Sequence, residues 1–548
     1  MKRILAAATL ALTLAGCDAA ALSGGGDDDT ALDIPEVADG DISAATMMDV
    51  TRELSSDEYE GRMPGSKGGE MTVEFLKKRF EEAGLKPGNN GSWTQDVPLI
   101  EITASDFAPL TISGGKGEPM AFDYGKDWVG VSYRDTPKTE LADSELVFVG
   151  YGINAPEKGW NDYEGIDMKG KTAVILVNDA DFGAEDLEGP FNGKAMTYYG
   201  RWTYKYEEAA RLGARGVLLI HNDKRATYGW GVVKNSWSLE GFTIPEEYLG
   251  SPFEGWVKES VAEKVFAKAG LDYQKELARA ETPDFKPVPL NLQAALQFSP
   301  TFRTVKTTNV GAPLPAQTAK PEEAPTVVIT AHHDHIGMSK DGEIYSGVVD
   351  NTSATSVLLS LARYFSEEEK LPINLLFVAV SAEEQGLWGS RYLAANPPLD
   401  KDKIWANINL EMTNIWGPTQ DVYAIGADKS ELDGVAREAA EKIGLRYIEE
   451  LDKENGFFFR SDQFSFARAG IPGLWPHEGP TSDNGVLDKR RGYRAGHYHQ
   501  TSDSLEVQSA DWDLQGTLQI ADWVIAMVEV LADRSERPDW NEGSAFGR

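Results

Sequence analysis

The chain has 548 residues, too many for one ordinary hydrophobic core, so two or three domains are expected. Lysine and arginine number 53 against 87 aspartates and glutamates, a formal charge of −34, and a surface of that sign repels phosphate backbones, which excludes nucleic acid as a partner. The single cysteine excludes an intramolecular disulfide; the acidity serves solubility equally well and says nothing of substrate.

At the amino terminus Lys2 and Arg3 precede the apolar run Ile4 to Leu14, followed by Ala15, Gly16 and Cys17. The pattern resembles a bacterial lipoprotein signal, cut before the cysteine so that this residue is acylated. That resemblance implies that residues 1–17 are a targeting segment and that the mature chain is lipid-anchored to a membrane through Cys17. It also implies a place in the bacterial cell envelope, facing the periplasm or the exterior. A transmembrane helix needs roughly 20 apolar residues, and this run is shorter. Residues 18–40, with GGGDDD at Gly24 to Asp29, read as a flexible, solvated tether.

From Ala44 to Leu85 the pattern predicts two helices, the second carrying Val73, Phe75, Leu76, Phe80 and Leu85, with the polar break SSDEYEGRMPGSKGGE between them. The break reads as a loop that could border a site. Residues 110–286 differ in composition: glycine, tryptophan and tyrosine become frequent, and short strands are predicted at Leu146 to Gly150, Ala173 to Val177 and Gly216 to Ile220. The stretches VGYGINAPEKGWNDYEGIDMKGKTAVILV and YYGRWTYKYEEAARLGARGVLLIH resemble the protease-associated domain, a non-catalytic insert that would cap a crevice and shape access to it. A sugar- or protein-binding module is the alternative.

After residue 287 an α/β pattern runs to the end. Val327 to Thr330 predicts a buried strand that delivers His332 and Asp334 at its carboxyl end. Asp350 and Asn351 are expected to open a helix, because Thr352 and Ser353 are capping types and Val357, Leu358, Leu361 and Phe365 recur at helical spacing. Ile373 to Val380 predicts a second buried strand ending on Glu383 and Glu384, and Ile404 to Met412 a third that delivers Glu411. Ser430 to Ile443 reads as an amphipathic helix, RSDQFSFARAGIPGLW as helix, turn and strand, and Asp511 to Ala532 as a closing helix. In an open α/β sheet, ligands bind beyond the carboxyl ends of the strands, so these segments converge on one crevice. Imidazole and carboxylate without thiolate suit zinc, and a carboxylate-rich arrangement can hold two ions. Polar loop ends are the ordinary reading of any one of these residues, but six of the seven histidines fall between His332 and His499.

The segments AHHDH, VVDNTSA, SAEEQGLWGS, NLEM and YHQTSD, in this order, resemble the co-catalytic zinc aminopeptidase family, which also holds glutamate carboxypeptidases, glutaminyl cyclases and the catalytically silent transferrin receptor. The resemblance implies a mixed central sheet flanked by helices, built from residues 41–109 and 287–548, with 110–286 as an inserted, smaller β-rich protease-associated domain. It implies two Zn2+ per chain: His332 and Glu411 on one, Glu384 and His499 on the other, and Asp350 bridging. Asp334 would orient His332. Glu383 would be the general base toward the attacking water, its side chain set opposite to that of Glu384 by an extended backbone. Tyr498 is a candidate donor to the oxyanion, with a packed aromatic as the alternative. A cis peptide between Asp350 and Asn351 is also implied.

Three departures from the pattern stand out: Glu411 where aspartate is usual, Val349 where another aspartate is usual, and Ala354 where glycine is usual. None removes an implied ligand, which argues against a silent, receptor-like protein. His333, His335, His477 and His497 are left over as loop or core histidines, with His477 a candidate for the pocket lining. The function implied is a di-zinc metallo-exopeptidase, an aminopeptidase removing N-terminal residues from peptides. The alternatives are a carboxypeptidase acting on acidic peptides, for which Arg460, Arg490, Arg491 and Arg494 could form a cationic clamp, and a non-catalytic, receptor-like binding protein.

Overall fold

The computed structural model describes residues 43–546 except 135, 239, 246–249, 340, 368 and 369. The leader, Cys17 and the 18–40 tether lie outside the described residues.

The strand Thr326–His332 runs parallel to both of its neighbours, Asn374–Val380 and Ile404–Leu410. Gly473–Glu478 continues the sheet in the same direction, and Asp421–Ile425 adds to it antiparallel. These strands are nearly continuous apolar runs because helices cover both faces. Ala354–Glu367 packs on one face, backed by Ala44–Leu54. On the other, Leu393 and Phe466 from the helices Trp388–Ala395 and Gln463–Arg468 close over Val328, Leu376, Val378 and Val380. Each such side chain taken fully out of water contributes roughly 1.5–3 kcal/mol. The sheet is mixed and flanked by helices, as the sequence predicts.

One element has no counterpart in the sequence reading. Val288–Leu314 is a single strand of 27 residues, several times the usual length. From Leu290 to Phe298 its burial alternates strictly, as a strand with one covered face requires. It pairs antiparallel with Thr139–Phe148 at one end, with Thr94–Ser105 in the middle and with Asn374–Val380 at the other end. Strands from 110–286 and from the rest of the chain thereby belong to one sheet of sixteen strands among the described residues.

Within 110–286 the expected strands appear as Thr139–Phe148, Thr172–Leu176 and Gly216–His221, joined by Phe253–Lys258 and Trp128–Val131. Helices accompany them, and both faces of these strands are covered. Phe148, Leu176, Leu218 and Ile220 pack against Val261, Val265, Phe266 and Leu277, whereas Val147, Ile175 and Leu219 pack toward Tyr206, Ala209 and Val233.

The helix expected from Asp350 begins later. Val348–Ser353 forms one wide turn in which Asp350 and Asn351 are non-helical, and the regular helix starts at Ala354. Thr352 and Ser353 do not cap it; their hydroxyls donate backward to the carbonyls of Val348 and Val349, each at 2.7 Å. The Asp350–Asn351 peptide bond is cis.

Candidate metal centre

The chain turns sharply at three of the points where it delivers these side chains. Ala382, just before Glu383, has φ 57°, Met412, just after Glu411, has φ 40°, and His499 itself has φ 58°. Such values are uncommon outside glycine and persist where surrounding contacts hold them. Asn351 supplies part of that hold. Its amide donates to Leu410 O at 3.2 Å and its carbonyl accepts from the Met412 N–H at 2.8 Å, while Thr355 Oγ1 donates to His332 O at 2.9 Å. Glu383 and Glu384 therefore lie in a turn, not on an extended backbone. Asp334 holds this turn: its carboxylate accepts from the N–H of Glu383 at 3.2 Å and of Glu384 at 3.4 Å.

Asp350 stands between two groups of donors. On one side His332 Nε2 lies 3.3 Å from Asp350 Oδ1 and 3.2 Å from Glu411 Oε1. On the other, His499 Nε2 lies 3.2 Å from Asp350 Oδ2 and 3.0 Å from Glu384 Oε2. All five residues named from the sequence as metal-binding are thus drawn together. His335, left aside by the sequence reading, is there too: its Nδ1 lies 2.7 Å from Glu384 Oε1 and 4.0 Å from Asp350 Oδ2. The ligand atoms of His332, Asp350 and Glu411, and likewise those of His335, Asp350 and Glu384, lie within 4.8 Å of one another. Of the other histidines, His333 faces Thr308 O, and His497 bonds Ser502. His477, considered for a pocket lining, is buried between Tyr423 and Arg490.

The surrounding side chains fix these groups. His332 Nδ1 donates to the main-chain carbonyl of Asp334 at 3.1 Å, which fixes the ring with Nε2 toward Asp350 and Glu411. The Asp334 carboxylate, expected to perform that task, stands 3.8 Å away. Glu411 Oε2 accepts from Ser461 Oγ at 2.7 Å, so the longer arm that replaces aspartate is pinned at its end. Asp503 accepts from the N–H groups of Val349 and Asp350 and from the Tyr493 hydroxyl. Arg62, from the break between the first two helices, is buried and donates to four carbonyls: Leu54, His333, Ser346 and Gly347, at 2.6–3.1 Å. Gly61 makes that approach possible, since a Cβ there would meet Gly337 O and Tyr345 O at 2.5 Å. Asp462, also missed from the sequence, is buried beside the centre, and burial pushes it up to about 7.

The electrostatics favour cations here. Burial alone would raise Asp350 and Glu384, but the neighbouring imidazoles hold Asp350 well below the carboxylate range and Glu384 down to about 2. Burial would lower His332 and His499, yet the carboxylates hold His332 well above its ordinary value and His499 at about 10. Glu383 is pushed well above the carboxylate range by burial, with Glu411 and Glu384 adding to the effect. Charge-balancing by imidazolium is what a dication among the same atoms would replace, and nitrogen and carboxylate oxygen without sulfur is a donor set that zinc takes readily. Tyr498 is 39% exposed and stacks on the His499 ring at 3.8 Å between centroids. Its position serves either reading made from the sequence, a donor or a packed aromatic.

Residues 309–525 match Peptidase family M28. Among solved structures, the chain is similar to an aminopeptidase from Aneurinibacillus sp. strain AM-1, with 21% identity over 90% of this chain and 95% of that one and a TM-score of 0.50. It also aligns with BSAP, a zinc aminopeptidase from Bacillus subtilis, at 18% identity over 92% and 99% of the two chains and a TM-score of 0.44. A Peptidase M28 precursor from Shewanella amazonensis aligns at 16% identity over 91% and 95%, with a TM-score of 0.42. The first of these carries the fold: a mixed sheet between helices. The segment that matches the peptidase family holds His332, Asp350, Glu383, Glu384, Glu411 and His499, and the chain is a metallopeptidase.

Proposed function

We propose that this protein is an exopeptidase that holds two zinc ions and removes N-terminal residues from peptides. The observation that carries the reading is Asp350, whose two oxygens face different imidazoles, His332 at 3.3 Å and His499 at 3.2 Å. A carboxylate so placed is suited to bridge two ions, one held with His332 and Glu411, the other with Glu384 and His499, and His335 offers a further nitrogen to the second. When bound, the ions would polarise the scissile carbonyl and lower the pKa of the attacking water. Glu383, held in its turn by Asp334, would take the proton released by the attack and pass it to the leaving amine. Tyr498 would donate toward the oxyanion.

Residues 110–286 would act as a protease-associated insert that narrows access. Support comes from Tyr198, which packs against Phe459 and Phe464, and from the Met196 N–H, which donates to Lys453 O. Cys17 would carry the lipid anchor in the bacterial envelope, and since one acyl chain gives only marginal membrane binding, more than one is expected. Fractionation of a Cys17→Ser variant tests this: release from membranes with activity retained is expected, and unchanged membrane association would exclude the anchor.

Profiling the zinc-loaded protein against peptides with a free amino group, an acetylated amino group or an amidated carboxyl tests the main reading. Cleavage confined to peptides with a free amino group is expected. Cleavage of acetylated peptides from the carboxyl end would make it a carboxypeptidase, and no cleavage of any would point to a binding protein.

A further inference from the structure

Arg460 immediately precedes Ser461, the residue that holds Glu411. Its guanidinium donates to Thr227 Oγ1 at 3.2 Å and lies 5.6 Å from the centroid of Phe457 and 5.9 Å from that of Tyr228. Arg494, on the helix Val486–Gly496 that leads to Tyr498 and His499, packs on the same Phe457 ring at 4.2 Å. Arg201 comes from the other part of the chain, is 8% exposed, and lies with Arg460 beside Tyr228. The Nε of Arg201, the Nε of Arg460 and one Nη of Arg494 are buried donors without an acceptor. None of the three is ion-paired among the described residues.

This is not for want of acids, in a chain with 87 of them against 53 basic residues. The other two arginines considered from the sequence are accounted for: Arg490 is ion-paired with buried Glu478, and Arg491 faces Asp452 at 3.6 Å on the surface. Burial lowers Arg201 and Arg494 to about 10, each with a second arginine nearby that adds to the shift. A buried, unpaired charge is costly to the fold and is compensated by an anion when one binds. Arg460 is joined to Ser461, which holds Glu411, and the helix that carries Arg494 leads to Tyr498, which stacks on His499. The free donors therefore lie on segments that run directly into the metal centre.

We propose that Arg201, Arg460 and Arg494 form an anion subsite that takes a carboxylate of the peptide substrate, close to the bond that is cut. Guanidinium forks bind carboxylates in this way. An extended peptide advances about 3.3–3.6 Å per residue, so a terminal carboxylate reaches a subsite close to the centre only from a short peptide. The substrate class is then short peptides, with either a terminal carboxylate or an acidic side chain in the subsite. The proposal rests on the reading of the centre as a peptidase site.

The test is steady-state kinetics of the full, zinc-loaded chain on three matched substrates: a leucyl-alanine dipeptide, its amide, and leucyl-glutamate amide. The expected result is that Arg460→Met and Arg494→Met each lower kcat/KM about 10–100-fold, through KM, on whichever carboxylate-bearing substrate is preferred, while leaving the neutral amide within about threefold. Preference for the dipeptide assigns the terminal carboxylate, and preference for the glutamate amide assigns the side chain. Equal losses on all three substrates, or no preference over the neutral amide, overturn the subsite. Calorimetric titration of the same peptides into Glu383→Gln reads it without turnover. Tighter binding of a carboxylate-bearing peptide, lost in Glu383→Gln/Arg460→Met, upholds the subsite even if the wild type cleaves nothing, and equal affinities overturn it.

Discussion

Asp334 holds two residues of the centre by two different groups: its main-chain carbonyl accepts from His332 Nδ1 at 3.1 Å, and its carboxylate accepts from the Glu383 N–H at 3.2 Å. The ligand imidazole and the base are thus positioned by one residue, but only the second contact depends on the side chain. Asp334→Asn keeps the carbonyl and should leave zinc affinity within about tenfold, below the usual 10–100-fold cost of losing a partner that orients a ligand. Turnover should fall further than affinity, because the Glu383 turn loses one charged acceptor. Zinc affinity by chelator competition, beside kcat, checks this; a hundredfold loss of zinc affinity would mean that the carboxylate orients His332 after all.

Arg62 joins the amino-terminal break to the segments that carry His332 and Asp350. Removing a buried charged donor that satisfies four carbonyls leaves those acceptors unpaired. Arg62→Met is expected to cost about 3–5 kcal/mol in denaturant unfolding, the range for breaking buried charged contacts. Arg62→Lys should recover little of it, since an ammonium cannot span the same fork. Stability unchanged in Arg62→Met would show that Arg62 does not anchor the loops.

The residues that face the centre were legible in the sequence, and those that hold them were not, for a physical reason. His332, Glu384 and Glu411 sit at the ends of apolar runs, and such runs announce themselves by composition. Arg62 and Asp503 lie in polar loops with no periodicity, where nothing local distinguishes a buried anchor from a solvated side chain. His335 depends on how the chain turns after His332, and a turn of that kind leaves no spacing signal. The start of the helix at Ala354 was misplaced because Thr352 and Ser353 have the composition of caps but bond backward into the wide turn. The strand Val288–Leu314 was missed because its two ends differ in patterning, alternating near Leu290 and more continuously buried near Val310.

A buried charge cluster in 110–286 gives a pH dependence. Burial raises Asp162 to about 7 and Asp179 to about 6, and lowers Lys205, whose ammonium has no hydrogen-bond acceptor, to about 8. The two carboxyls bind protons more tightly folded than unfolded, so their contribution to stability is fully present below about pH 4 and is lost as pH rises through 6–7. Lys205 runs the other way: its depressed pKa costs stability at neutral pH, and that cost is relieved as pH rises from about 8 to 10. Lys205→Met removes a positive charge beside both carboxylates. Its effect on stability should be less favourable by about 1–3 kcal/mol near pH 7.5, where they are ionised and the ammonium offsets them, than near pH 5, where they are neutral and only its burial cost is removed. Thermal unfolding at the two pH values decides; an equal cost at both would mean that Lys205 acts through packing alone.

The central claim is a pair of metal ions sharing Asp350 beside a base that is not a ligand, and bound zinc per chain tests it most directly. Two ions are expected in the wild type and in Glu383→Gln, with turnover in the latter lower by about 10²–10⁴-fold, and fewer than two in Glu384→Gln. An active wild-type preparation with less than one ion per chain, or a Glu383→Gln protein that loses metal while Glu384→Gln keeps it, would contradict the account.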